Sequence, residues 1–445
     1  MFSTSDTIVA VATPPGRGGL GVVRLSGQDA HAIAQRLTAR TLPLPPRHAT
    51  FTRVLVDHTP IDHVVATFFP GPRSYTGDDT VEFSAHGSLV LLRAIVAAAV
   101  AAGARLAEPG EFTLRAFLNG RIDLMQAEAV GDLIDAVTPL QARVAFDQLQ
   151  GTLTGAIGEI SDALFDLIAR LEASVDFPDE GYHFFESGDL VTALDSLIAR
   201  TSRLMADARR GRLVREGFQV AIVGKPNVGK SSLFNALAGA SRSIVTSIPG
   251  TTRDVLIDVV DIKGFRVTLV DTAGIRPTED EIEAEGVVRA RQAVSSSDLV
   301  LVVVDASQSL DQCDRDILEY TIDIKRLIVS NKCDIASSSD EDLPVSARTG
   351  AGLDALRDRL ACALDAEPTR DRPAISNLRH INLVKLAQDA LTRAHDAIGA
   401  SGRDLPEEFV LADLQQAQAA LDEISGRRAP DDLLDHIFSR FCVGK

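Results

Sequence analysis

The run Gly224-Lys225-Pro226-Asn227-Val228-Gly229-Lys230-Ser231 constrains this chain more than any other stretch. It follows an apolar strand-like run, Phe218–Gly224, and opens a helical pattern at Lys230–Ala238. A G-x-x-x-x-G-K-S spacing at a strand-to-helix turn lets the backbone bend until successive N–H groups face phosphate oxygens. The helix start adds partial positive charge at the same place. In that geometry Lys230 reaches the β- and γ-phosphates of a nucleotide, and Ser231 Oγ ligates Mg²⁺. An ordinary glycine-rich turn is the weaker reading in this context.

The residues downstream set the fold class. Asp254–Ile262 and Phe265–Asp271 read as a strand pair around Lys263-Gly264, and Leu299–Asp305 and Leu327–Ser330 as strands buried on both faces. Helical patterns starting near Val287, Cys313 and Leu353 alternate with them. The expectation is an α/β domain with a mostly parallel, doubly wound sheet.

Further motifs fall at the predicted strand ends. Asp271-Thr272-Ala273-Gly274 places Asp271 to hold the metal through water and the Gly274 N–H to meet a γ-phosphate. Asn331-Lys332-Cys333-Asp334 brings a carboxylate that accepts two hydrogen bonds from guanine, while the Lys332 stem covers the base. Adenine has no donors there, and a site built for a donor rejects a ligand lacking it by about 10⁴–10⁵. Ser346-Ala347-Arg348 suits a backbone contact to guanine O6. Gly250-Thr251-Thr252-Arg253-Asp254 stands where a switch loop belongs, with Thr252 as a second hydroxyl on Mg²⁺. The ordered set points to GTP. Ile275 follows Gly274, and its side chain can neither donate to nor accept from an attacking water.

The rest of the chain is long enough for two to four domains, at 445 residues and 45% apolar composition. Residues 1–120 mix short strands (Asp6–Thr13, Leu20–Ser26, Val54–Asp57, Val64–Phe69) with a helix over 88–102, an α+β pattern. From residue 121 to 214 the period becomes 3.6, with Leu133, Ile134, Val137, Leu140 and Val144 on one helix face. Helical periodicity returns over 369–445. A helical domain, discontinuous in sequence, therefore brackets a nucleotide-binding domain at 215–368. The net charge of −17 argues against coating nucleic acid by bulk attraction. Cys313, Cys333, Cys362 and Cys442 form no C-x-x-C pair, so neither zinc nor a disulfide framework is indicated, and a reducing cytoplasm fits. No run reaches the ~20 apolar residues of a membrane span.

Taken together, the Pro226-Asn227 phosphate loop, Gly250–Asp254, Asp271–Arg276, the turn Thr13–Gly19, Arg115–Gly120 and the terminal Phe441-Cys442-Val443-Gly444-Lys445 resemble the bacterial tRNA-modification GTPase family MnmE (TrmE) over essentially the whole chain. The resemblance implies a K⁺ ion beside the phosphates, held by the Asn227 side chain and the backbone of Thr246, Ile248 and Thr251. GTP contacts then run through Val228, Gly229, Ser231, Ser232, Thr246, Ser247, Ile248, Pro249, Gly250, Thr251 and Thr252, beside the motifs already named. Glu283 matches the residue that orients water through a second water, with a solvated acidic segment as the bland alternative. Arg276 steadies the closed switches. Residues 1–120 would dimerise and bind a 5-formyltetrahydrofolate-type folate through Arg24, Glu82, Arg121 and Lys445. Many family members carry Lys where this chain has Arg121. The implied activity adds an aminomethyl-type or carboxymethylaminomethyl group to C5 of the wobble uridine of certain tRNAs. It requires the FAD-containing partner MnmG (GidA), joined to the homodimer as a heterotetramer.

Two other readings stay open at this level. One is a ribosome-assembly or signalling GTPase switch without modification chemistry. The other is a stand-alone folate-dependent transferase with a regulatory nucleotide domain.

Overall fold

The computed structural model describes residues 5–38, 40–176, 187–239, 256–271, 294–336, 343–364, 375–401 and 407–445. The chain divides into two compact units. One gathers residues 1–131, 148–198 and 386–445; the other gathers 132–147 and 199–385.

The first unit contains a six-stranded sheet of β1 (Ile8–Val11), β2 (Gly18–Ser26), β3 (Thr50–Val56), β4 (Thr59–Phe69), β5 (Thr80–Gly87) and β6 (Arg105–Leu106). Their order is β3-β4-β5-β2-β1-β6, antiparallel except for the β1–β6 pair. Side chains alternate across a strand. Val23 and Leu25 of β2 and Val81, Phe83 and Ala85 of β5 therefore share one buried face. Helices Ala30–Thr38 and Leu89–Ala101 cover it with Ile33, Ala34, Leu37, Leu92 and Ile95. Arg24 and Glu82 alternate with those residues and stand on the opposite face as direct cross-strand partners. Asp57 and His58 both take positive φ (48° and 63°), the two-residue turn that matches the twist of a β3–β4 hairpin.

Sequence periodicity alone misses β5, β6 and two helices in this region, Ala30–Thr38 and Glu111–Leu118. The apolar half of β5 is only Val81, Phe83 and Ala85, too short an alternation to stand out beside Glu82, Ser84 and His86. Helix Glu111–Leu118 has no clean apolar stripe because it buries charge: Arg115 is 1% exposed. Arg115 donates to Asp6 (2.6 Å) and Glu111 (2.9 Å), and Arg105 donates to the same two carboxylates at 2.7 and 2.6 Å. Burial of Glu111 disfavours its charge, but Arg105 and Arg115 hold its carboxyl below the ordinary value. Helices Thr152–Asp176 and Glu407–Ser425 belong to the same unit, with Gln418 donating to Ser161 at 2.7 Å between them.

The single helix face expected through Leu133, Ile134, Val137, Leu140 and Val144 is divided. Leu124–Asp135 and Pro139–Leu149 are separate helices. Pro139 explains the break: a proline pushes the preceding residue out of the helical region yet suits a helix's first turn.

The second unit holds β7 (Phe218–Val223), β8 (Leu256–Ile262), β9 (Phe265–Asp271), β10 (Leu299–Asp305), β11 (Arg326–Asn331) and β12 (Leu343–Val345). Their order is β12-β11-β10-β7-β9-β8, all parallel except the β8–β9 hairpin at Lys263-Gly264. Both faces are buried, as the unbroken apolar runs require. Val220, Ile222, Leu299, Leu301 and Val303 enter one core with Leu233, Phe234 and Leu237 of helix Lys230–Gly239 and Leu356 and Leu360 of helix Leu353–Ala363. Ala221, Val223, Val300 and Val302 enter another with Ile317 and Leu318 of helix Gln312–Tyr320. Cutting one such Leu or Ile to alanine costs about 2–5 kcal/mol against a usual total of roughly 5–15 kcal/mol. These runs therefore fix where the strand ends lie. The expected doubly wound sheet is present; the pattern expected from Val287 falls outside the described residues.

Candidate functional site

At the end of β7 the chain turns through Gly224 (φ 155°), Asn227 (φ 63°) and Gly229 (φ 95°) into helix Lys230–Gly239. Two glycines are required by space as well as by φ. A Cβ on Gly224 would collide with the Val303 carbonyl oxygen, and one on Gly229 would collide with Asn331 Nδ2. Lys230 is 8% exposed, and its Nζ donates to the Gly224 and Lys225 carbonyls at 2.7 and 2.8 Å. The loop thus carries a cation inside its own curve, next to backbone that a side chain cannot occupy. Ser231 and Ser232 are exposed on the first helical turn.

The ends of β10, β11 and β12 close around this loop. Asn331, 2% exposed, donates from Nδ2 to the Val228 carbonyl at 2.8 Å, and its Oδ1 accepts from the Ala347 N–H at 3.1 Å. Lys332, with φ 68°, donates from Nζ to the Asn227 carbonyl at 3.0 Å and to Asp305 Oδ2 at 2.6 Å. Burial raises the cost of the Asp305 charge, yet Lys332 and Ser307 keep its carboxyl below the ordinary value. Asp334 accepts from Ser346 Oγ at 2.7 Å and pairs with the Arg348 guanidinium. The Ser346 hydroxyl, with help from Arg348, lowers the Asp334 pKa against the opposing effect of burial. An ionised carboxylate only accepts hydrogen bonds, which is what two converging N–H donors of a base need.

The structure therefore brings Asn227, Val228, Gly229, Lys230, Asn331, Lys332, Asp334, Ser346, Ala347 and Arg348 to one edge of the parallel sheet. Asp271 closes β9, paired with Ile222 of β7. Thr246, Ser247, Ile248, Pro249, Gly250, Thr251, Thr252, Thr272, Ala273, Gly274, Arg276 and Glu283 lie outside the described residues. Asp305 belongs to the site although no sequence motif contains it. A signal does exist: it ends a strand parallel to the one ending in Asn331, and the two are register partners.

A second cluster lies in the other unit, on the face of the antiparallel sheet. Arg24 donates from Nε to Glu82 Oε1 at 2.8 Å and from Nη1 to the Gly444 carbonyl at 3.4 Å. Its guanidinium carbon lies 5.3 Å from the Tyr75 ring centre and 5.6 Å from that of Phe112. The chain reaches Arg24 from its far end because Val443 bridges Pro109 and the Lys445 carbonyl accepts from the Phe112 N–H at 3.2 Å. Burial, followed by the charge of Arg24, pushes the Lys445 ammonium below its ordinary value. A carboxylate, two cations and aromatic walls fit a flat ring with an amide edge and an anionic tail. Arg121 is set at the Gly77 turn, its Cγ 3.4 Å from where a Cβ on Gly77 would stand. Nothing local in the sequence marks Tyr75 or Phe112, which helix packing delivers, and the terminal run that contains Gly444 does not show that its carbonyl meets Arg24.

Among the described residues, no helix is long and apolar enough to cross a membrane, and no group of three or more His, Cys, Asp or Glu could hold a metal. Comparison with known proteins gives two family matches: "MnmE helical domain" over residues 124–442 and "GTP-binding protein TrmE N-terminus" over residues 7–121. A tRNA modification GTPase MnmE from Koribacter versatilis is 43% identical over 457 residues, covering 100% of both chains. Another, from Laribacter hongkongensis, is 43% identical over 452 residues, covering 99% of each. Among solved structures, Era from Aquifex aeolicus bound to GDP and AlF4⁻ is 29% identical. The match covers 39% of this chain and 66% of that one, at a TM-score of 0.28, too low to bear on the function.

Proposed function

The chain belongs to the MnmE (TrmE) family of tRNA modification GTPases, and from that premise we propose that it hydrolyses GTP in the service of tRNA modification. The observation that carries the reading is the strand-end cluster. The Asn331 amide ties the phosphate loop at Val228 to the base-reading loop at Ala347, with Lys230 at one end and ionised Asp334 at the other.

In this proposal the nucleotide's phosphates lie against the backbone of residues 227–232, and Asp334 reads the guanine edge. Ser231 and Thr252 hold Mg²⁺. Asn227, Thr246, Ile248 and Thr251 hold K⁺. Either cation supplies charge where negative charge builds on the phosphates. Arg276 and Glu283 act at the switches, Glu283 taking over the water-orienting task that Ile275 cannot perform. Arg24, Glu82, Arg121 and Lys445 hold a 5-formyltetrahydrofolate-type folate, which when bound supplies a one-carbon unit. Residues 1–120 form the folate and dimer domain, 121–214 and 369–445 the helical domain, and 215–368 the nucleotide domain. The protein works in the cytoplasm as a homodimer with FAD-containing MnmG, and the modified position is C5 of the wobble uridine.

The test is reconstitution: full-length protein, the flavoprotein partner with its flavin reduced, unmodified tRNA, the folate, glycine or ammonium as the nitrogen source, K⁺, Mg²⁺ and GTP. Mass spectrometry should show a new group on the wobble uridine that requires both GTP and folate. GTP hydrolysis with the uridine unchanged would instead mark a GTPase switch without modification chemistry.

A further inference from the structure

We propose that Lys225 is a positioning residue of the phosphate loop, anchored through its side chain by Asp311 and Asp314 so that its main chain can hold Lys230. This role rests on the GTP hydrolysis proposed above and extends it to residues outside the nucleotide motifs.

Lys225 is the second residue of the Gly224–Ser231 run, a position the motif leaves unspecified. Its side chain is 12% exposed, and its Nζ meets Asp314 Oδ2 at 2.6 Å and Asp311 Oδ2 at 2.9 Å. The two aspartates lie 86 and 89 residues further along the chain. They also form the start of helix Gln312–Tyr320. Asp311 Oδ1 accepts from the Asp314 N–H at 3.0 Å, and Asp314 Oδ2 accepts from the Asp311 N–H at 3.2 Å. A reciprocal cap of this kind fixes both carboxylates before they meet the lysine. Asp314 is only 3% exposed on its side chain, so the anchor is embedded in the fold.

The other end of the connection is main chain. The Lys225 carbonyl accepts from Lys230 Nζ at 2.8 Å. An unbroken path therefore runs from the helix cap through the Lys225 side chain and carbonyl to the phosphate-binding ammonium. The charges divide the labour. Asp314 first, then Asp311, raises the pKa of Lys225 above its ordinary value, so it stays a cation paired to carboxylates. The carbonyls of Gly224 and Lys225 are neutral, so they orient the Lys230 ammonium without cancelling its charge.

The loop needs an anchor because it passes through positive φ at Gly224, Asn227 and Gly229, and glycines bring many competing conformers. Apparent affinity falls in proportion to the binding-competent fraction. If release of the anchor leaves about one loop in ten competent, nucleotide binding weakens about tenfold.

The experiment compares full-length wild type, Lys225→Met, Lys225→Arg and Asp311→Asn for GDP affinity and for steady-state GTP hydrolysis. Methionine keeps the stem and spares the helix cap. Asparagine at 311 still caps the helix while removing one charge. Lys225→Met should raise the GDP Kd and the GTP KM about tenfold, with kcat at saturating GTP within about twofold. Lys225→Arg should restore both to within about threefold of wild type. Asp311→Asn should move in the same direction by less, and it serves alone if Lys225→Met does not fold. Unchanged GDP affinity in the charge-removing variants, a fall in kcat with KM unmoved, or failure of arginine to rescue would each overturn the proposal. Wild type without GTP affinity would overturn the GTPase reading instead.

Discussion

The described residues build two sheets of six strands, and the two place their chemistry in opposite ways. In the parallel sheet, functional side chains sit at or just past the ends of β7, β10, β11 and β12, in runs of a few consecutive residues. In the antiparallel sheet, Arg24 and Glu82 meet across the middle of a face because β2 and β5 are in register. A parallel sheet buried on both faces has no free surface, so only its edges can offer polar groups. An antiparallel sheet covered by helices on one side keeps the other side for a site. The first arrangement groups recognition into short motifs; the second distributes it over long sequence separations.

The contrast can be broken in four places, and Asp334→Asn should have the largest effect. It replaces a pure acceptor by a group that also donates toward the guanine donors, and the preference for GTP over ATP should collapse, by up to about 10⁴–10⁵. Competitive titration measures it. Retained preference would mean that the β11 end does not read the base.

Arg24→Ala comes next. Losing charge-assisted hydrogen bonds costs about 1.5–3 kcal/mol, so folate affinity measured by calorimetry should drop roughly tenfold to a hundredfold. GTP hydrolysis should stay near wild type. Equal damage to both activities would erase the separation of the two sites.

Acid offers a third probe, aimed at the charge network beside the antiparallel sheet. Arg105 and Arg115 hold Asp6 below its ordinary value of 3.8. Burial opposes the charge of Glu111, yet the same two arginines hold it below its ordinary 4.5. The folded state therefore binds fewer protons than the unfolded chain. The stability this supplies is complete above the ordinary values and is lost as pH falls through the lower folded ones. Glu111→Gln should cost roughly 1–3 kcal/mol near neutral pH and flatten the loss below about pH 4.5. Melting curves across acid to neutral pH decide it, and parallel slopes for variant and wild type would count against the network.

Arg348→Ala should be the smallest effect. The guanidinium is 76% exposed, and exposed ion pairs contribute little. GTP affinity should change by less than about threefold, and a larger loss would show that Arg348 touches the nucleotide.

The same contrast explains what can be read from sequence. Gly224–Ser231, Asn331–Asp334 and Ser346–Arg348 are contiguous, so their chemistry shows without the fold, and the β-branched runs that bring them together predict the parallel sheet. The Arg24–Glu82 pair spans 58 residues and its Gly444 contact 420. No local pattern announces such pairs, and only the family resemblance points to Arg24, Glu82 and Lys445. β5 is silent in the sequence because its apolar alternation is three residues long. Helix Glu111–Leu118 is silent because paired ions, not an apolar stripe, allow its burial. Lys225 is hidden for a related reason: its position is free in the motif, and its partners lie beyond β10.

The side chain of Asn331 has a consequence for how this pocket could change over time. One amide fastens Val228 to Ala347 and fills the space that a Cβ on Gly229 would need. The gripping of phosphates and the choice of base are thus welded into a single part. A lineage drifting toward another nucleotide could not retune one end by gradual steps while sparing the other, so variants with altered base preference should arise together with altered phosphate grip.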